Sequence, residues 1–121
     1  MYPRPPRRIV DPYAGIQKVT GEGRCRVCGS RWAISRAHLV PKGQRGDDID
    51  DNIVPLCGGG TDGCHGSLTD HHLASWPSLL TGVEWTAIAA LLRERLSSDE
   101  EGYILQKKGI DWLNRVYPAK A

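Results

Sequence analysis

The sequence predicts an α+β fold in which a small ββα unit carries a four-cysteine zinc site and is flanked by C-terminal helices. Three features lead to this prediction. All four cysteines lie between residues 25 and 64, two short apolar runs separate the cysteine pairs, and helical patterns with capping signals follow. A length of 121 residues, with 40% hydrophobic and 25% charged residues, fits one domain with a modest core.

Residues 1–23 are predicted to form an arm that precedes this unit. The first eight residues are rich in proline and arginine, which disfavours a helix. We therefore expect an extended, mobile segment that either lies along a DNA backbone or stays disordered. The arm lacks the apolar core of a signal peptide, and no later run is long enough to span a bilayer. A cytoplasmic location without a membrane partner is expected.

Charge is distributed unevenly along the chain. Residues 1–45 contain ten Lys or Arg and two Asp or Glu, whereas residues 46–121 contain six and twelve. The two parts therefore carry +8 and −6, which gives the net +2. A basic front half suits the binding of phosphates, although an ordinary solvated surface could have the same composition.

The cysteines form two pairs, Cys25/Cys28 and Cys57/Cys64. The short spacing of the first pair lets both sulfurs turn toward one point, and a tetrahedral zinc binds sulfur at about 2.3 Å. The second pair is wider, but four glycines in its insert let the backbone fold back without Cβ clashes. Two disulfides are the alternative and would suit a secreted domain. Because no signal peptide is evident, we favour a structural zinc.

Strand and helix patterns lie within this cysteine-bounded stretch. Residues 33–40 alternate well enough for a half-buried strand, and residues 52–56 suit a second short strand. Residues 64–73 suit a helix. His38 would then lie on the first strand and His65 in the first turn of the helix, with the zinc holding the ends of the unit together.

The C-terminal part is predicted to be helical. Thr81–Glu84 has the spacing of a capping box and opens a helix that extends to about Leu96. Ser98–Glu101 repeats that signal and starts a helix that Gly109 ends. Residues 112–117 suit a last amphipathic turn. These helices either pack around the small unit or present an apolar docking face to a partner.

The ordered set of cysteines, histidines and asparagine resembles the HNH endonucleases of the ββα-metal class, in their zinc-stapled branch. The pattern is a CxxC pair, a histidine three residues before a proline, a central asparagine, and a cysteine pair followed directly by histidine. The matching residues are Cys25, Cys28, His38, Pro41, Asn52, Cys57, Cys64 and His65. The nuclease unit would comprise residues 24–76, with residues 77–121 as its helical extension. The segment Cys57–Gly66 also resembles small bacteriophage HNH proteins, which often accompany the DNA-packaging terminase.

The resemblance implies a metal-dependent DNA endonuclease. His38 takes the position of the general base that removes a proton from the attacking water. His65 takes the position of a ligand to one catalytic Mg²⁺ or Mn²⁺, separate from the zinc. Asn52 takes the position of the central asparagine, which pins the loop behind the base in most relatives and ligates the metal in some. The products would carry 5′-phosphate and 3′-hydroxyl ends.

The same resemblance implies DNA as the substrate and the large terminase subunit of a phage as a candidate partner. The setting would be the cytoplasm of a phage-infected or prophage-bearing bacterium. Arg36, Lys42 and Arg45 stand close to the base in sequence, so we expect them to contact substrate phosphates. The basic arm offers no base-reading code, and we expect modest sequence preference.

One position departs from the family pattern. The residue before the base is usually an Asp or His ligand, but here it is Ala37. Asn52 could ligate the cation alongside His65, or a carboxylate from Asp47–Asp51 could replace the missing ligand. The third outcome is poor metal binding, which would make the chain a catalytically weak or inactive zinc-knuckle module that binds DNA or acts as an adaptor.

Two further histidines, His71 and His72, follow on the predicted helix. His72 stands seven residues after His65, about 10.5 Å along the helix axis, which is too far to share one ion. His71 would point to another face. We expect polar residues near a helix end, with phosphate contact as the alternative.

Overall fold

The computed structural model describes residues 8–59, 62–73 and 82–118, and it mixes helices with a two-stranded sheet. The elements are α1 (Ile16–Glu22), β1 (Ile34–His38), β2 (Ile53–Cys57), α2 (Gly63–Leu73), α3 (Gly82–Glu94), α4 (Ser98–Lys108) and α5 (Ile110–Val116). The predicted α+β class is confirmed. Within the described part of the chain, no helix is both long and apolar enough to cross a bilayer.

The two strands pair antiparallel and form a hairpin. Ile34 lies opposite Cys57, and His38 lies opposite Ile53. Both predicted strands are confirmed, with the first shorter than its predicted range. Because antiparallel strands run in opposite directions, the end of β2 lies beside the start of β1, close to the first cysteine pair. His38 lies at the other end of the hairpin.

One hydrophobic core joins the hairpin to the C-terminal helices. Its fully buried side chains include Leu39 and Val54 from the hairpin region and Leu92 and Ile104 from the helices. Burial of each such side chain contributes about 1.5–3 kcal/mol. Tyr117 is also fully buried, and its hydroxyl donates a hydrogen bond to the Leu39 carbonyl. The C-terminal helices therefore pack around the hairpin and complete its core.

The prediction of an extended arm is wrong for residues 16–22, which form helix α1. Gly15 and Gly23 adopt left-handed conformations at the two ends, with φ of 79° and 63°. A Cβ on Gly15 would lie 2.6 Å from Ile53 Cγ2, so glycine also allows the close approach to β2. Val19 is the buried residue of this short helix. Residues 1–7 of the predicted arm lie outside the described residues.

The segment that precedes α1 is held against the loop between the strands. Ile9 N donates to Asp47 Oδ1 at 2.7 Å, and Asp48 N donates back to Ile9 O at 2.9 Å. Asp11 N donates to Asp48 Oδ2 at 2.9 Å. Arg8 donates to Asp48 Oδ1 at 2.6 Å. These hydrogen bonds fix the front of the chain against the loop that follows β1, the strand that carries His38.

Capping differs by one residue from the prediction for α4. Ser97, rather than Ser98, is the N-cap, because its side chain accepts a hydrogen bond from Glu100 N while the Glu100 side chain bonds Ser97 N. Gly109 ends α4 as predicted. The predicted cap at Thr81 and the predicted boundary after residue 76 lie outside the described residues.

A buried ion-pair network links α4 to the first cysteine turn. The Glu100 side chain is 1% exposed and contacts Arg26 at 2.7 Å and Lys18 at 2.5 Å. Arg26 also pairs with Glu22 of α1 at 2.6 Å. Burial alone would raise the pKa of Glu100, but the hydrogen bonds from Arg26 and Lys18 lower that pKa to about 2. Glu100 therefore stays ionised and joins three segments of the fold.

We predict that Glu100→Gln lowers the free energy of unfolding by about 3 kcal/mol, because it leaves Arg26 and Lys18 without their buried counter-charge. Urea denaturation measures this. The matched control Glu101→Gln removes a carboxylate that is 39% exposed and should cost less than about 1 kcal/mol. Because the pKa of Glu100 is lowered from 4.5 to about 2, its contribution is present above pH 4.5 and is lost as the pH falls toward 2. Equal losses in the two variants would contradict the prediction.

Candidate metal centre and active site

The four cysteine thiols converge at one end of the hairpin. Their sulfur atoms all lie within 4.8 Å of one another, and Cys28 Sγ lies 3.6 Å from Cys57 Sγ. Four sulfurs at zinc-binding distance would lie about 3.8 Å apart. All four thiols are free rather than joined in disulfides. The cluster can therefore hold one metal ion and is consistent with zinc.

The turn between the first two cysteines presents backbone amides to sulfur. Gly29 N bonds Cys25 O at 3.0 Å, and Cys25 N bonds Ser30 O at 2.8 Å, which closes the turn. Burial would raise the pKa of Cys25, but the backbone amides of Cys28, Cys57 and Val27 lower that pKa to about 7. These donors favour the thiolate, which is the form that binds metals.

The wide insert of the second pair folds back closely, as its glycines predict. A Cβ on Gly58 would lie 2.2 Å from Asp62 O, and a Cβ on Gly63 would lie 2.5 Å from Cys57 O. Both glycines also have positive φ, at 84° and 64°. Helix α2 therefore begins beside the end of β2, which places His65 in its first turn.

His38 and His65 line the same cavity, whose volume is about 480 Å³. Arg36, Lys42 and Asp48 also line this cavity. His38 reaches this cavity from the end of β1, and His65 reaches it from the first turn of α2. The structure therefore brings together the two imidazoles that the sequence singled out.

A carboxylate holds the His38 ring. His38 Nε2 lies 2.8 Å from Asp48 Oδ1, and an ionised carboxylate can only accept a hydrogen bond. The hydrogen-bond network thus assigns the proton to Nε2 and leaves Nδ1 bare, with no partner among the described residues. Burial lowers the pKa of His38, as do the charges of Lys42 and Arg8, while Asp48 raises it. The net shift is downward, so the ring is neutral at pH 7.

Asp48 remains ionised in this setting. Burial would raise its pKa, but the hydrogen bonds from Asp11 N and His38 and the charge of Arg8 together hold that pKa below 3.8. The sequence indicated the acidic run as a source of metal ligands and left capping and hydrogen bonding to the loop open for it. Its role beside His38 depends on a contact across the loop, which the local sequence does not reveal.

His65 makes a different contact. Its Nδ1 lies 2.6 Å from Ser35 Oγ of β1. Burial lowers the pKa of His65, and the nearby His38 lowers it further, while Asp62 raises it. The ring is therefore neutral near pH 7, which is the form able to ligate a metal.

Asn52 lies in the core rather than in the cavity, and its predicted role as a metal ligand needs correction. Its side chain is fully buried. Oδ1 accepts from Val40 N at 2.8 Å, and Nδ2 donates to Val40 O at 3.1 Å and to Asp47 O at 2.9 Å. Because these bonds occupy the amide, Asn52 pins the loop that carries Asp48.

Asp48 is the one carboxylate of the acidic run Asp47–Asp51 that lines the cavity, where the missing ligand at Ala37 would have to be replaced. Ala37 is fully buried beside the cavity. Asp47 points to Tyr103 and Lys107, and Asp50 accepts from Gly15 N. Among the described residues, the four cysteines are the one group of three or more His, Cys, Asp or Glu side chains whose ligand atoms lie close enough together to hold an ion.

The predicted phosphate contacts separate into two groups. Arg36 and Lys42 line the cavity, and Arg36 Nη1 is anchored by Pro12 O at 2.5 Å and Ala14 O at 3.0 Å. Arg45 is exposed on the turn after Lys42 and does not line the cavity. The side chains of His71 and His72 lie outside what the structure describes.

Comparison of the chain with protein-family models, with curated proteins and with solved structures gives no match. The HNH resemblance therefore stays a prediction that rests on the ordered residues between Cys25 and His65. Nothing about a substrate, an activity or a partner follows from these comparisons.

We predict that Asp48→Asn lowers the pKa of His38 further, because the carboxylate charge favours the imidazolium and raises that pKa. The shift is measured from the histidine Cε1–H signals in an NMR titration. Asp51→Asn is the matched control, since Asp51 is an exposed residue of the same acidic run. An unchanged or higher pKa of His38 in Asp48→Asn would show that the carboxylate does not act on the ring.

Proposed function

We propose that this chain is a metal-dependent DNA endonuclease that hydrolyses phosphodiester bonds. The observation that supports the proposal most is the shared cavity of His38 and His65. One ring is held by a carboxylate and has a bare Nδ1, and both rings are neutral near pH 7. The HNH resemblance supplies the roles of base and metal ligand.

His38 is proposed to act as the general base. Its Nδ1 takes a proton from a water molecule, and the water oxygen forms a bond to the phosphorus while the bond from phosphorus to the 3′ oxygen breaks. The 3′ oxygen takes up a proton, which leaves 3′-hydroxyl and 5′-phosphate ends. Asp48 keeps the ring oriented and stabilises the imidazolium that forms.

His65 is proposed to hold the catalytic cation. A bound Mg²⁺ or Mn²⁺ would polarise the phosphate and neutralise charge on the leaving 3′ oxygen. The cavity offers few protein ligands, because Ala37 supplies none and Asp48 already accepts from Arg8, Asp11 and His38. Such cations commonly complete their coordination with water and substrate phosphates. We therefore expect weak cation binding in the absence of DNA.

The cysteine cluster is proposed to hold a structural zinc. Backbone amides lower the pKa of Cys25 and favour its thiolate, and the spacing of the four sulfurs suits a tetrahedral ion. Arg26, within the first cysteine turn, pairs with the buried Glu100. The zinc would contribute to folding rather than to the reaction. It would fix the start of α2 relative to the hairpin, and with it the position of His65.

Arg36 and Lys42 are proposed to bind the substrate backbone. Both cations lie at the cavity, and contacts to phosphate give affinity that falls with salt without reading base sequence. From the resemblance alone, we also propose that the protein acts in the cytoplasm of a phage-infected or prophage-bearing bacterium. There the large terminase subunit would be its partner in DNA packaging.

A second candidate function is a zinc-stabilised module that binds DNA or acts as an adaptor without cutting DNA. The buried Ala37 favours it, because this residue stands where the family usually supplies a metal ligand. The two functions differ in one observable, the appearance of nicked or linear DNA after addition of a divalent cation.

We predict that the purified protein nicks supercoiled plasmid when Mg²⁺ or Mn²⁺ is added, and that His38→Ala slows nicking by about 10²–10⁴-fold, the usual contribution of a general base. Gel electrophoresis measures the rate, and a melting curve shows that the variant is folded. Gln44→Ala, on an exposed turn outside the cavity, is the control and should cut at the wild-type rate.

Two outcomes would count against the proposal. Binding of plasmid without cleavage under every cation would favour the non-catalytic module. Cleavage by His38→Ala at the wild-type rate would show that another group, or none, acts as the base.

A further inference from the structure

Ser35 lies at the centre of three short contacts. Its hydroxyl oxygen is 2.5 Å from Gly58 O, 3.3 Å from Leu56 O and 2.6 Å from His65 Nδ1. Ser35 is half-buried on β1, between the loop that follows Cys57 and the first turn of α2. The hydroxyl therefore bridges the second cysteine loop and the imidazole.

The proton count of this cluster fixes the direction of each bond. A serine hydroxyl has one hydrogen, and a carbonyl oxygen can only accept. At 2.5 Å the Gly58 oxygen requires that hydrogen between the two oxygens, because two bare oxygens would repel at this distance. Ser35 Oγ must then accept from His65 Nδ1, so the Nδ1 nitrogen carries the proton of the neutral ring.

The consequence lies on the other side of the ring. With the proton on Nδ1, the Nε2 nitrogen of His65 keeps a free lone pair, and no side chain or backbone group among the described residues forms a hydrogen bond with it. A histidine side chain in water prefers the opposite tautomer, with the proton on Nε2, which cannot ligate a metal through that atom. The hydrogen bond to Ser35 therefore reverses the usual preference.

Close backbone contacts constrain the position of Gly58 O. Gly58 has φ of 84°, and a Cβ there would lie 2.2 Å from Asp62 O. Gly58 N also donates to Ala33 O at 2.8 Å, just before β1. The carbonyl that orients the serine hydroxyl is thus fixed by the fold of the cysteine loop.

We propose that Ser35 is a positioning residue that holds His65 in the Nδ1–H tautomer and so makes Nε2 the metal-binding atom. The link to catalysis rests on the proposed endonuclease function, but the tautomer does not. The same kind of contact, a ring N–H given to an outer group, orients many metal-binding histidines.

The direct test is ¹⁵N NMR of the histidine rings at about pH 8, where both buried imidazoles are neutral. The His65 signals are identified by their loss in His65→Asn. We expect a protonated Nδ1 and a bare Nε2 in the wild type and in Ser35→Thr, which keeps the hydroxyl. In Ser35→Ala we expect the proton to move to Nε2 or to exchange between both nitrogens.

Thr69→Val is the matched control. The Thr69 hydroxyl also contacts His65, but it donates to the backbone oxygen at 3.0 Å and not to the ring. Its removal should leave the tautomer unchanged. A protonated Nε2 in the wild type, or an unchanged Nδ1–H form in Ser35→Ala, would overturn the proposal.

A second measurement separates this proposal from the proposed function. Mn²⁺ binding is measured by electron paramagnetic resonance with the His38→Ala variant and DNA, so that the DNA stays uncut. We expect the Mn²⁺ affinity of the double variant His38→Ala/Ser35→Ala to be about 10- to 100-fold weaker than that of His38→Ala alone. Equal Mn²⁺ affinity of the single variant and the double variant would overturn the metal-binding part of the proposal. Failure of the wild type to cut DNA, with the Nδ1–H tautomer intact, would refute the endonuclease but not the role of Ser35.

Discussion

The convergence of four cysteine sulfurs is the constraint on which the rest of the structure depends. Cys57 ends β2 and Cys64 lies in the first turn of α2, so their approach forces the chain to reverse over a few glycine-rich residues. His65 follows Cys64 directly, and its place is therefore set by the cluster. His38 is set independently, by the register of the hairpin. The two histidines share a cavity because the cysteine cluster and the hairpin register place them at the same face of the fold.

Both imidazoles that line the cavity are neutral near pH 7, and one of them, His38, lies beside the ionised carboxylate of Asp48. Burial disfavours the charged form of both histidines and lowers their pKa values, while the carboxylate of Asp48 keeps its charge through the hydrogen bonds it accepts. Asp48 is in turn held by Arg8, from the segment before α1. The front of the chain, the inter-strand loop and β1 thus act as one unit around the proposed base. Elsewhere in the fold, the buried, ionised carboxylate of Glu100 pairs with Lys18 and Arg26. These ion pairs link α4 to α1 and to the first cysteine turn.

Much of the fold was predictable from local sequence, because alternation, capping residues and cysteine spacing report directly on strands, helices and the metal cluster. The hairpin, α2 and the glycine stop of α4 follow these signals. Helix α1 was missed because its limits depend on Gly15 and Gly23, and its position depends on a close approach to Ile53. Asp48 and Ser35 could not be assigned in advance, since each acts through a contact with a residue at least ten positions away. The resemblance left Asn52 either pinning the loop or ligating a metal, and the burial and hydrogen bonds of its side chain fit the first role.

The most direct test of this account is the metal content of the native protein together with its stability after metal removal. Mass spectrometry under native conditions should find one zinc per chain, and a chelator strong enough to remove it should abolish the cooperative melting transition, because a structural site contributes folding free energy directly. A chain that contains no zinc, or that melts unchanged after the zinc is removed, would contradict the central claim that a cysteine-held ion organises the cavity.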